Sequence, residues 1–579
     1  MFMQEKTVCK FKGLEVIKSI KRPASSLNIN LVNYQYLIFC FSLQVVILFM
    51  ASCVLMIANG CNGQTKRQIT VQALVDTTIK GNFVESSGLV FDSTEINSFL
   101  KRRPAFNEFS ADFKKFYSLR NFNYVWYDHK GVTESTNNLF NRLLAQNNDG
   151  ILKSFPYKDD FRIMINRLQN GEAQKSSPET ELMLTGEYFN YAKNSWGGAE
   201  VNNATASGWY LPKKKLIYSD LLKRQLNSPL DSVEQTAVIP QYLALKKALN
   251  QYQQIEKAGP DILVDYNKAF GLLKPGDTSA GIILLRKRLA QLGDLKQVLV
   301  DDSATADKRY DKDLEQAIIR FKTRHGMNAN LKLNASFFKQ LTIPVHKRIE
   351  QMIINLERLR WIPVDDHGGE FILVNLPEYQ LHYYIGNKLN WDCRVVVGKL
   401  MTQTVIFSGD LQYVIFSPYW NIPSSIIKQE IKPGIAKNPN YLRIHNMEWN
   451  GGRIRQKPGK NNSLGLVKFI FPNSNNIYLH DTPAKSLFNE DNRAFSHGCI
   501  RVAQPKELAK RLLKQLPAWT PEKIDVAMHA GNERTVVLKK KIPVYIGYFT
   551  AFVNSKGQLN FRDDIYDRDS RLLSFLMKD

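Results

Sequence analysis

The sequence Ser496-His497-Gly498-Cys499-Ile500-Arg501-Val502 is the most informative stretch of this 579-residue chain. It places one thiol directly after a glycine and two positions after a histidine. A second histidine, His480, lies 19 positions before Cys499 in Tyr478-Leu479-His480-Asp481-Thr482-Pro483. A thiol is a useful nucleophile only as the thiolate, and a free thiol is mostly protonated at neutral pH. Because an imidazole can take that proton and later return it to a leaving amine, the pattern predicts acyl transfer through a thioester on Cys499.

Further motifs accompany this pair, and together they carry a resemblance to a known family. They are Val395-Val396-Val397-Gly398-Lys399, Phe416-Ser417-Pro418-Tyr419-Trp420-Asn421-Ile422-Pro423, Arg455-Gln456-Lys457-Pro458-Gly459, the run from Arg493 to Val502, and Phe561-Arg562-Asp563-Asp564-Ile565-Tyr566. The chain resembles the L,D-transpeptidases with a YkuD-type catalytic domain, which cross-link bacterial peptidoglycan. It is most similar to their large, multi-domain (YcbB-like) subgroup with a peptidoglycan-binding-like module.

The residue types around the thiol suggest a role for each side chain. Cys499 is the candidate nucleophile, and the resemblance assigns the general base and acid to His480. Gly498 has no Cβ, so the amides of Gly498 and Cys499 are candidate donors to an oxyanion. On an extended segment His497 faces the same side as Cys499, where it would support the thiol. Ser496 is a candidate hydrogen-bonding neighbour, and a purely structural role for His497 stays open.

Four further residues are candidates for binding substrate. Arg501, two positions after Cys499, should point into the site, where a guanidinium can bind a carboxylate through two hydrogen bonds. A structural salt bridge is the alternative for Arg501. Tyr478 shares the face of His480 and is a candidate pocket residue. Trp420 and Tyr441 would stack on sugar or peptide, unless they anchor the loop that carries them.

Some of these side chains are also potential metal ligands. His480, His497, Cys499 and Cys393 are zinc-type ligands, but the spacing H-x16-H-x-C is not a recognised zinc pattern. We therefore expect no metal and no cofactor. The net charge of +24 suggests a polyanionic neighbour, and no zinc-finger spacing or RNP-type aromatic sequence points to nucleic acid. Attraction to an anionic cell envelope and a merely solvated basic surface both stay open.

The N-terminal region predicts attachment to a membrane. Residues 37–58 are apolar and carry no formal charge, and six Lys or Arg residues precede them. By the positive-inside rule, residues 1–36 then lie in the cytoplasm and the remainder in the periplasm or cell envelope. An inner-membrane anchor is the expectation, with a cleaved signal peptide or a lipoprotein at Cys53 as alternatives. Four of the six cysteines precede residue 62, and only Cys393 and Cys499 fall in the long exported part after it. That is not a disulfide framework, although a bridge between these two stays open.

The fold class expected from these patterns is a multi-domain α+β chain. It consists of a linker at 59–95, a helical scaffold at 96–265, a small three-helix peptidoglycan-binding-like module at 270–343, a connecting helix at 344–367, a mixed β-rich L,D-transpeptidase catalytic domain at 370–530 with a capping insertion at about 420–462, and a C-terminal β extension at 531–579. Whether residues 270–343 bind the cell wall or act as a spacer stays open.

The resemblance implies a specific reaction. Cys499 would attack a tetrapeptide stem and release D-alanine, and the side-chain amine of a second stem would then resolve the thioester into a 3→3 cross-link. Water as the acceptor would instead give an L,D-carboxypeptidase. A different cysteine peptidase of the cell wall and a non-catalytic wall-binding scaffold also stay open. The partners expected are peptidoglycan stem peptides and the cytoplasmic membrane, with carbapenems as covalent inhibitors at Cys499.

Overall fold

The computed structural model describes residues 87–129, 131–170, 177–198, 208–211, 214–227, 232–295, 308–362, 369–386 and 388–577. The expected cytoplasmic segment, the apolar run 37–58 and most of the linker lie outside these ranges. In the part that is described, no helix is both long enough and apolar enough to cross a bilayer.

The N-terminal part of the described chain is helical. Helices α1 to α8 span Thr94–Arg102, Ser110–Ser118, Glu134–Leu144, Lys158–Gln169, Pro178–Ala192, Tyr218–Asn227, Ser232–Ala237 and Pro240–Ala258. The strands β1 (Tyr127–Asp128) and β2 (Gly131–Val132) pair between α2 and α3. Helix α5 is buried from Glu181 to Ala192, and a helix that buries all its faces lies at the centre of its domain. The amides of Val125 and Trp126 donate to the Glu181 carboxylate, which fixes the neighbouring chain to this helix.

Four more helices lead to the catalytic domain. They are α9 (Gly281–Gln291), α10 (Lys312–Arg324), α11 (Ala335–Leu341) and α12 (Val345–Arg360). The side chains of Asp311 and Asn334 cap α10 and α11 by accepting backbone N–H bonds of 2.9 and 3.0 Å. Helix α12 packs against α8 and is buried on most sides, so it joins the helical part to the rest of the chain.

The C-terminal part is rich in β-structure. Strands β3 to β14 span Glu370–Asn375, Gln380–Ile385, Lys388–Gly398, Ser408–Phe416, Trp420–Asn421, Met447–Asn450, Arg453–Gln456, Val467–Ile470, Leu479–His480, Ala494–Ser496, Ile500–Val502 and Arg534–Gly547. Within the described ranges, nine of them form one sheet in the order β12-β5-β13-β11-β10-β6-β14-β3-β4. Strand β4 also pairs with β5, which closes the sheet on itself around apolar residues such as Val395 and Phe469.

The sequence between β6 and β10 forms a separate lobe, which we call the cap. It contains the three-stranded sheet β7-β9-β8 and the helical segments α13 (Ser424–Ile426), α14 (Lys432–Lys437) and α15 (Tyr441–Ile444), with a π-helical turn at Ile427–Ile431. Its buried apolar residues are Ile422, Ile426, Ile431 and Ile454, and they form a cluster distinct from the main core.

The chain after β13 completes the sheet and then covers it. Helices α16 (Pro505–Leu513) and α17 (Pro521–His529) precede β14, which lies between β6 and β3. The first strand of the expected C-terminal extension is therefore part of the catalytic sheet. The remaining residues form the hairpin β15 (Ala551–Val553) and β16 (Leu559–Phe561) and helix α18 (Asp569–Leu576). The boundaries expected for the remaining domains stay predictions.

Candidate active site

The short strands β11 and β13 run parallel and bring the two sequence motifs together. Leu479 lies opposite Ile500 and His480 opposite Arg501. The Ile500 N–H donates to the Tyr478 carbonyl over 3.1 Å, so Tyr478 is the residue beside Cys499. Alternate residues of a strand face the same side. Cys499, Arg501, Tyr478 and His480 are therefore gathered on one side of two neighbouring strands.

The Cys499 thiol is half-buried, and its sulfur lies 3.7 Å from the carbonyl oxygen of Asn476. Burial raises the pKa of this thiol, while the backbone of Tyr478, its hydroxyl and the charge of Arg501 act in the opposite direction. Burial outweighs these three effects. The resting thiol is therefore largely protonated at neutral pH, and it needs a base before it can attack.

The imidazole of His480 is buried and held in one orientation. Its Nδ1 bonds to the carbonyl oxygen of Asp481, and an acceptor there requires the proton to sit on Nδ1 and leaves Nε2 as the basic nitrogen. Burial, the charge of Arg501 and that of Lys485 lower the pKa of His480 to about 3. The ring is therefore neutral at neutral pH and able to accept a proton at Nε2.

Asp481 is a site residue that sequence reasoning missed. Its N–H donates to the Val467 carbonyl over 2.9 Å, and its carboxylate accepts the Leu466 N–H over 2.8 Å. These bonds fix the backbone whose carbonyl orients His480. The only signal in the sequence was its position directly after the histidine, because the group that orients the imidazole is the main-chain carbonyl of Asp481.

No hydrogen bond joins the Cys499 sulfur to the His480 ring in the described part of the chain. The ring of Tyr478 stands edge-on to the imidazole at a centroid distance of 5.7 Å. Its hydroxyl lies near the sulfur, whose pKa it lowers, and near the side chain of Trp420. A resting nucleophile and base often lack their hydrogen bond until substrate is bound, so the arrangement still fits the expected pair.

The loop between β12 and β13 has its own hydrogen bonds. The Ser496 hydroxyl donates to the Cys499 carbonyl over 2.6 Å, and the Gly498 N–H donates to that hydroxyl oxygen over 3.1 Å. The Gly498 amide expected to stabilise an oxyanion is therefore engaged with Ser496. The Cys499 amide donates to no acceptor among the residues that the structure describes, which leaves it as the available donor.

The imidazole of His497 contacts the cap. Its Nε2 lies 2.8 Å from a carboxylate oxygen of Glu430, which belongs to the π-helical turn of the cap. The sequence predicted a shared face with Cys499 on an extended segment. That alternation does not apply because Gly498 has a φ of +119°, a conformation that favours glycine and turns the chain between the two residues.

Two parts of the chain match known protein families. Residues 369–544 match the family described as the L,D-transpeptidase catalytic domain, YkuD, and residues 111–249 match one described as a scaffold domain. The chain carries a YkuD-type L,D-transpeptidase catalytic domain.

One curated relative, from Haemophilus influenzae, bears the name "Putative L,D-transpeptidase" and is 34% identical over 244 residues. The match covers 38% of this chain and 49% of that protein, so the chain spans about half the length of the relative. Solved L,D-transpeptidase structures from Xylanimonas cellulosilytica and Stackebrandtia nassauensis are 12% and 14% identical, with TM-scores of 0.17 and 0.18. The alignments cover 48% and 50% of this chain and 97% and 98% of those structures.

The YkuD-type domain places two of the four expected substrate-binding residues beside the thiol, and a third lies next to one of them. Tyr478 and Arg501 flank Cys499, and Trp420 reaches Tyr478 from the cap. Tyr441 instead packs inside the cap, where its ring lies 4.2 Å from that of His445. That contact corresponds to the loop-anchoring alternative for Tyr441.

The positive charge of Arg501 is not paired with a carboxylate among the described residues. No salt bridge within the described ranges involves its guanidinium, and its buried Nε has no hydrogen-bond partner there. A partly buried guanidinium without an anion is less stable than one that has an anion beside it. This favours the carboxylate-binding interpretation of Arg501 over a structural ion pair.

Cys393 is the other cysteine in the described part of the chain. Cys393 is buried on β5 opposite Leu381, and both Cys393 and Cys499 are free thiols. No three His, Cys, Asp or Glu side chains converge as a metal site in the part of the chain that the structure describes.

Proposed function

We propose that this protein is an L,D-transpeptidase that forms 3→3 peptidoglycan cross-links through a thioester on Cys499. The observation that carries the proposal is the parallel pairing of β11 and β13 within a YkuD-type domain. This pairing gathers thiol, imidazole and guanidinium on one side of the sheet. The chemistry of these three groups matches a donor that carries both an amide to be cleaved and a carboxylate to be bound.

In the first half-reaction, Arg501 binds a carboxylate of the tetrapeptide stem. The Cys499 proton passes to Nε2 of His480 as the sulfur attacks the carbonyl carbon of the third residue. The carbonyl oxygen gains the negative charge and accepts the Cys499 N–H. When the tetrahedral intermediate collapses, the C–N bond breaks and His480 returns its proton to the amine of the departing D-alanine. Cys499 is then an acyl thioester.

In the second half-reaction, the side-chain amine of another stem attacks the thioester carbonyl. Its proton passes to His480 and then to the sulfur as the C–S bond breaks, which leaves an amide cross-link and a free thiol. Water in place of the amine would give a carboxylate. Trp420 of the cap lies beside Tyr478, and Glu430 of the cap contacts His497, so the cap would limit access of water to the thioester.

The charges in the site suggest that proton transfer from Cys499 to His480 depends on bound substrate. The charge of Arg501 is one of the causes that lower the pKa of His480. A substrate carboxylate on Arg501 offsets that charge and makes the imidazolium easier to form. Proton transfer from Cys499 is then favoured when a donor is bound, which suppresses side reactions of the empty site.

Several finer expectations belong to the same proposal. Residues 270–343 are a peptidoglycan-binding-like module, and residues 37–58 anchor the protein in the inner membrane with its catalytic domain in the periplasm. Carbapenems acylate Cys499. The apolar run with its preceding basic residues supports the anchor, and the basic net charge of +24 suits an anionic envelope surface.

The test is incubation of the full-length protein with a disaccharide-tetrapeptide, followed by mass spectrometry. The expected products are free D-alanine and a dimer joined between third residues, and Cys499→Ala abolishes both while Cys393→Ala does not. Release of D-alanine without dimers assigns the carboxypeptidase alternative instead. Unchanged products with Cys499→Ala would refute the thioester altogether.

A further inference from the structure

Thr404 lies beneath the catalytic loop, far from it in sequence, and is fully buried. Its hydroxyl oxygen is 2.9 Å from the Gly398 nitrogen and 2.9 Å from the Gly498 carbonyl oxygen. The Gly398 N–H is able only to donate. The hydroxyl accepts that bond and must place its single proton on the Gly498 carbonyl.

This bond fixes the direction of the Cys499 amide. The Gly498–Cys499 peptide is planar and trans, so its carbonyl and its N–H point in opposite directions. When Thr404 holds the Gly498 carbonyl on its buried side, the Cys499 N–H is directed to the other side. That N–H has no acceptor within the described ranges, whereas the Ser496 and Cys499 carbonyls of the same loop are both occupied.

The constraint is needed because Gly498 is a glycine with φ +119°. Glycine lacks the steric barriers that keep other residues in one backbone conformation, so the peptide plane after it is otherwise free to turn. No side chain of the loop itself holds the Gly498 carbonyl in the described structure. Thr404 supplies from outside the loop a restraint that the loop's own sequence does not provide.

Tyr566 secures Thr404 from the C-terminal part of the chain. Its hydroxyl donates to the Gly398 carbonyl over 2.6 Å and accepts the Thr404 N–H over 3.3 Å. The Tyr566 N–H in turn donates to the Tyr548 hydroxyl over 2.9 Å, and the two rings are stacked at 5.7 Å. A residue after β16 thus contacts Thr404, which in turn holds the catalytic loop.

We propose that Thr404, secured by Tyr566, is a positioning residue that aims the Cys499 N–H at the oxyanion formed during acyl transfer. The proposal rests on the proposed function, because an oxyanion arises only when the sulfur attacks a carbonyl. Neither residue touches the substrate. Their effect passes through one peptide plane.

Comparing alkylation with acylation of the Cys499 sulfur distinguishes positioning of the Cys499 N–H from a merely structural role of Thr404. Alkylation of Cys499 by iodoacetamide displaces iodide at a saturated carbon and forms no oxyanion, whereas acylation by the tetrapeptide donor does. Thr404→Val keeps the shape and removes the hydroxyl. Because loss of one oxyanion donor costs about 100- to 1,000-fold in rate, misdirecting it should slow acylation by roughly 10- to 100-fold. The rate of alkylation should stay unchanged.

Three further variants complete the test. Thr404→Ser keeps the hydroxyl and should restore most of the acylation rate. Tyr566→Phe removes only the second hydroxyl and should slow acylation selectively, which provides the same comparison if Thr404→Val does not fold. Thr402→Val is the matched control, since its hydroxyl donates to the Ser496 carbonyl over 3.0 Å and not to that of Gly498. It should acylate at the wild-type rate.

The outcomes distinguish this inference from the proposed function. If the wild-type sulfur is alkylated but never acylated by the donor, the proposed function fails. If wild type is acylated and both Thr404→Val and Tyr566→Phe match it, only the positioning role fails. The positioning role also fails if these variants lose alkylation and acylation to the same extent.

Discussion

Glu430 Oε1 lies 2.8 Å from His497 Nε2, and this pair joins the cap to the loop that carries the reactive thiol. The cap has its own apolar cluster, so it is able to move as a lobe without unpacking the sheet beneath it. Contacts between the cap and the catalytic loop should therefore influence how often the cap opens.

Removing the charge of Glu430 should loosen the cap. A partly exposed contact of this kind between an imidazole and a carboxylate contributes at most about 1 kcal/mol, which corresponds to at most about a fivefold change in the opening equilibrium. We expect Glu430→Gln to speed hydrogen exchange of backbone amides in α13 and α14 by up to that factor. Exchange in β10 and β6 should not change, because these strands belong to the closed sheet.

Glu448→Gln is the matched control for this experiment. Glu448 also lies in the cap and pairs with Arg455 and Lys457 at 2.7 and 2.9 Å, but both partners belong to the cap itself. It should leave exchange in α13 and α14 as in wild type. Equal effects of the two variants would mean that Glu430 merely stabilises the lobe and does not hold it to the catalytic loop.

The pH dependence of thiol alkylation tests the resting state of the site. The pKa of the Cys499 thiol is raised by burial, and that of His480 is lowered to about 3, so both groups are neutral near pH 7. The thiolate fraction then grows about tenfold per unit from about pH 6 to about pH 9, and the iodoacetamide rate should follow it. Intact-mass kinetics of the free enzyme would measure this.

A preformed thiolate–imidazolium pair would behave differently. It would give a rate that is already high near pH 6 and flat up to about pH 8. His480→Ala should not alter the shape of the profile in the free enzyme, although it should abolish acylation by the tetrapeptide. A plateau in wild type that vanishes in His480→Ala would contradict the neutral pair.

Arg501 should contribute to donor binding through a substrate carboxylate. Hydrogen bonds to charged groups contribute about 1.5–3 kcal/mol, so Arg501→Gln should raise KM for the tetrapeptide by roughly 10- to 100-fold. If Arg501 binds the terminal carboxylate of the donor, then a donor in which that carboxylate is amidated loses the same interaction. Wild type should then lose affinity for the amide, and Arg501→Gln should bind both donors equally weakly.

The preference of Arg501→Gln between the two donors shows whether Arg501 binds the terminal carboxylate. If Arg501→Gln still prefers the free carboxylate by the wild-type factor, another group binds that carboxylate. Arg501→Lys should recover part of the affinity, since a lysine keeps the charge but loses the paired geometry of the guanidinium.

Glu187 on α5 makes folding stability depend on pH. It is fully buried, and neither carboxylate oxygen has a partner among the described residues. Burial holds its pKa well above the ordinary value. The unfolded chain therefore releases this proton at a lower pH than the folded one, and the folded state loses stability as pH rises from about 4.3 towards the raised pKa.

Glu187→Gln removes this ionisation while keeping the shape of the side chain. Thermal unfolding should show little change in Tm at about pH 4 and a higher Tm than wild type at about pH 8. Glu181→Gln is the contrasting control, because an amide there would set a donor against the Val125 and Trp126 N–H groups and lower Tm at both pH values. A Glu187→Gln difference that did not vary with pH would exclude ionisation as the cause.

Local patterns were sufficient for the general architecture. The apolar spacing of Leu314, Ala317, Ile318 and Phe321 predicted a helix, and the structure has α10 there with all four buried. Short β-rich runs after residue 370 predicted a β-rich domain, which the structure and the family match agree upon. Such features depend on neighbours within a few residues, which the sequence displays directly.

The arrangement of the site depends on contacts that no local pattern reveals. The parallel register of β11 and β13 makes Tyr478, and not His480, the neighbour of Cys499. The φ of Gly498 turned His497 towards Glu430, 67 positions earlier in the chain. Thr404 and Gly498 are separated by 94 positions, and an isolated threonine gives no sign that its hydroxyl will meet a carbonyl so far along the sequence.

The hydroxyl of Tyr566 lies on a segment that follows every strand of the closed sheet in the sequence. A polypeptide cut just before it would retain the sulfur, the imidazole, the guanidinium and every strand of the closed sheet. It would nevertheless lack the tether that reaches Gly398 and Thr404. Under the proposed positioning role, cleavage of the chain just before Tyr566 would slow acylation of Cys499 while leaving its sulfur able to react with simple alkylating agents.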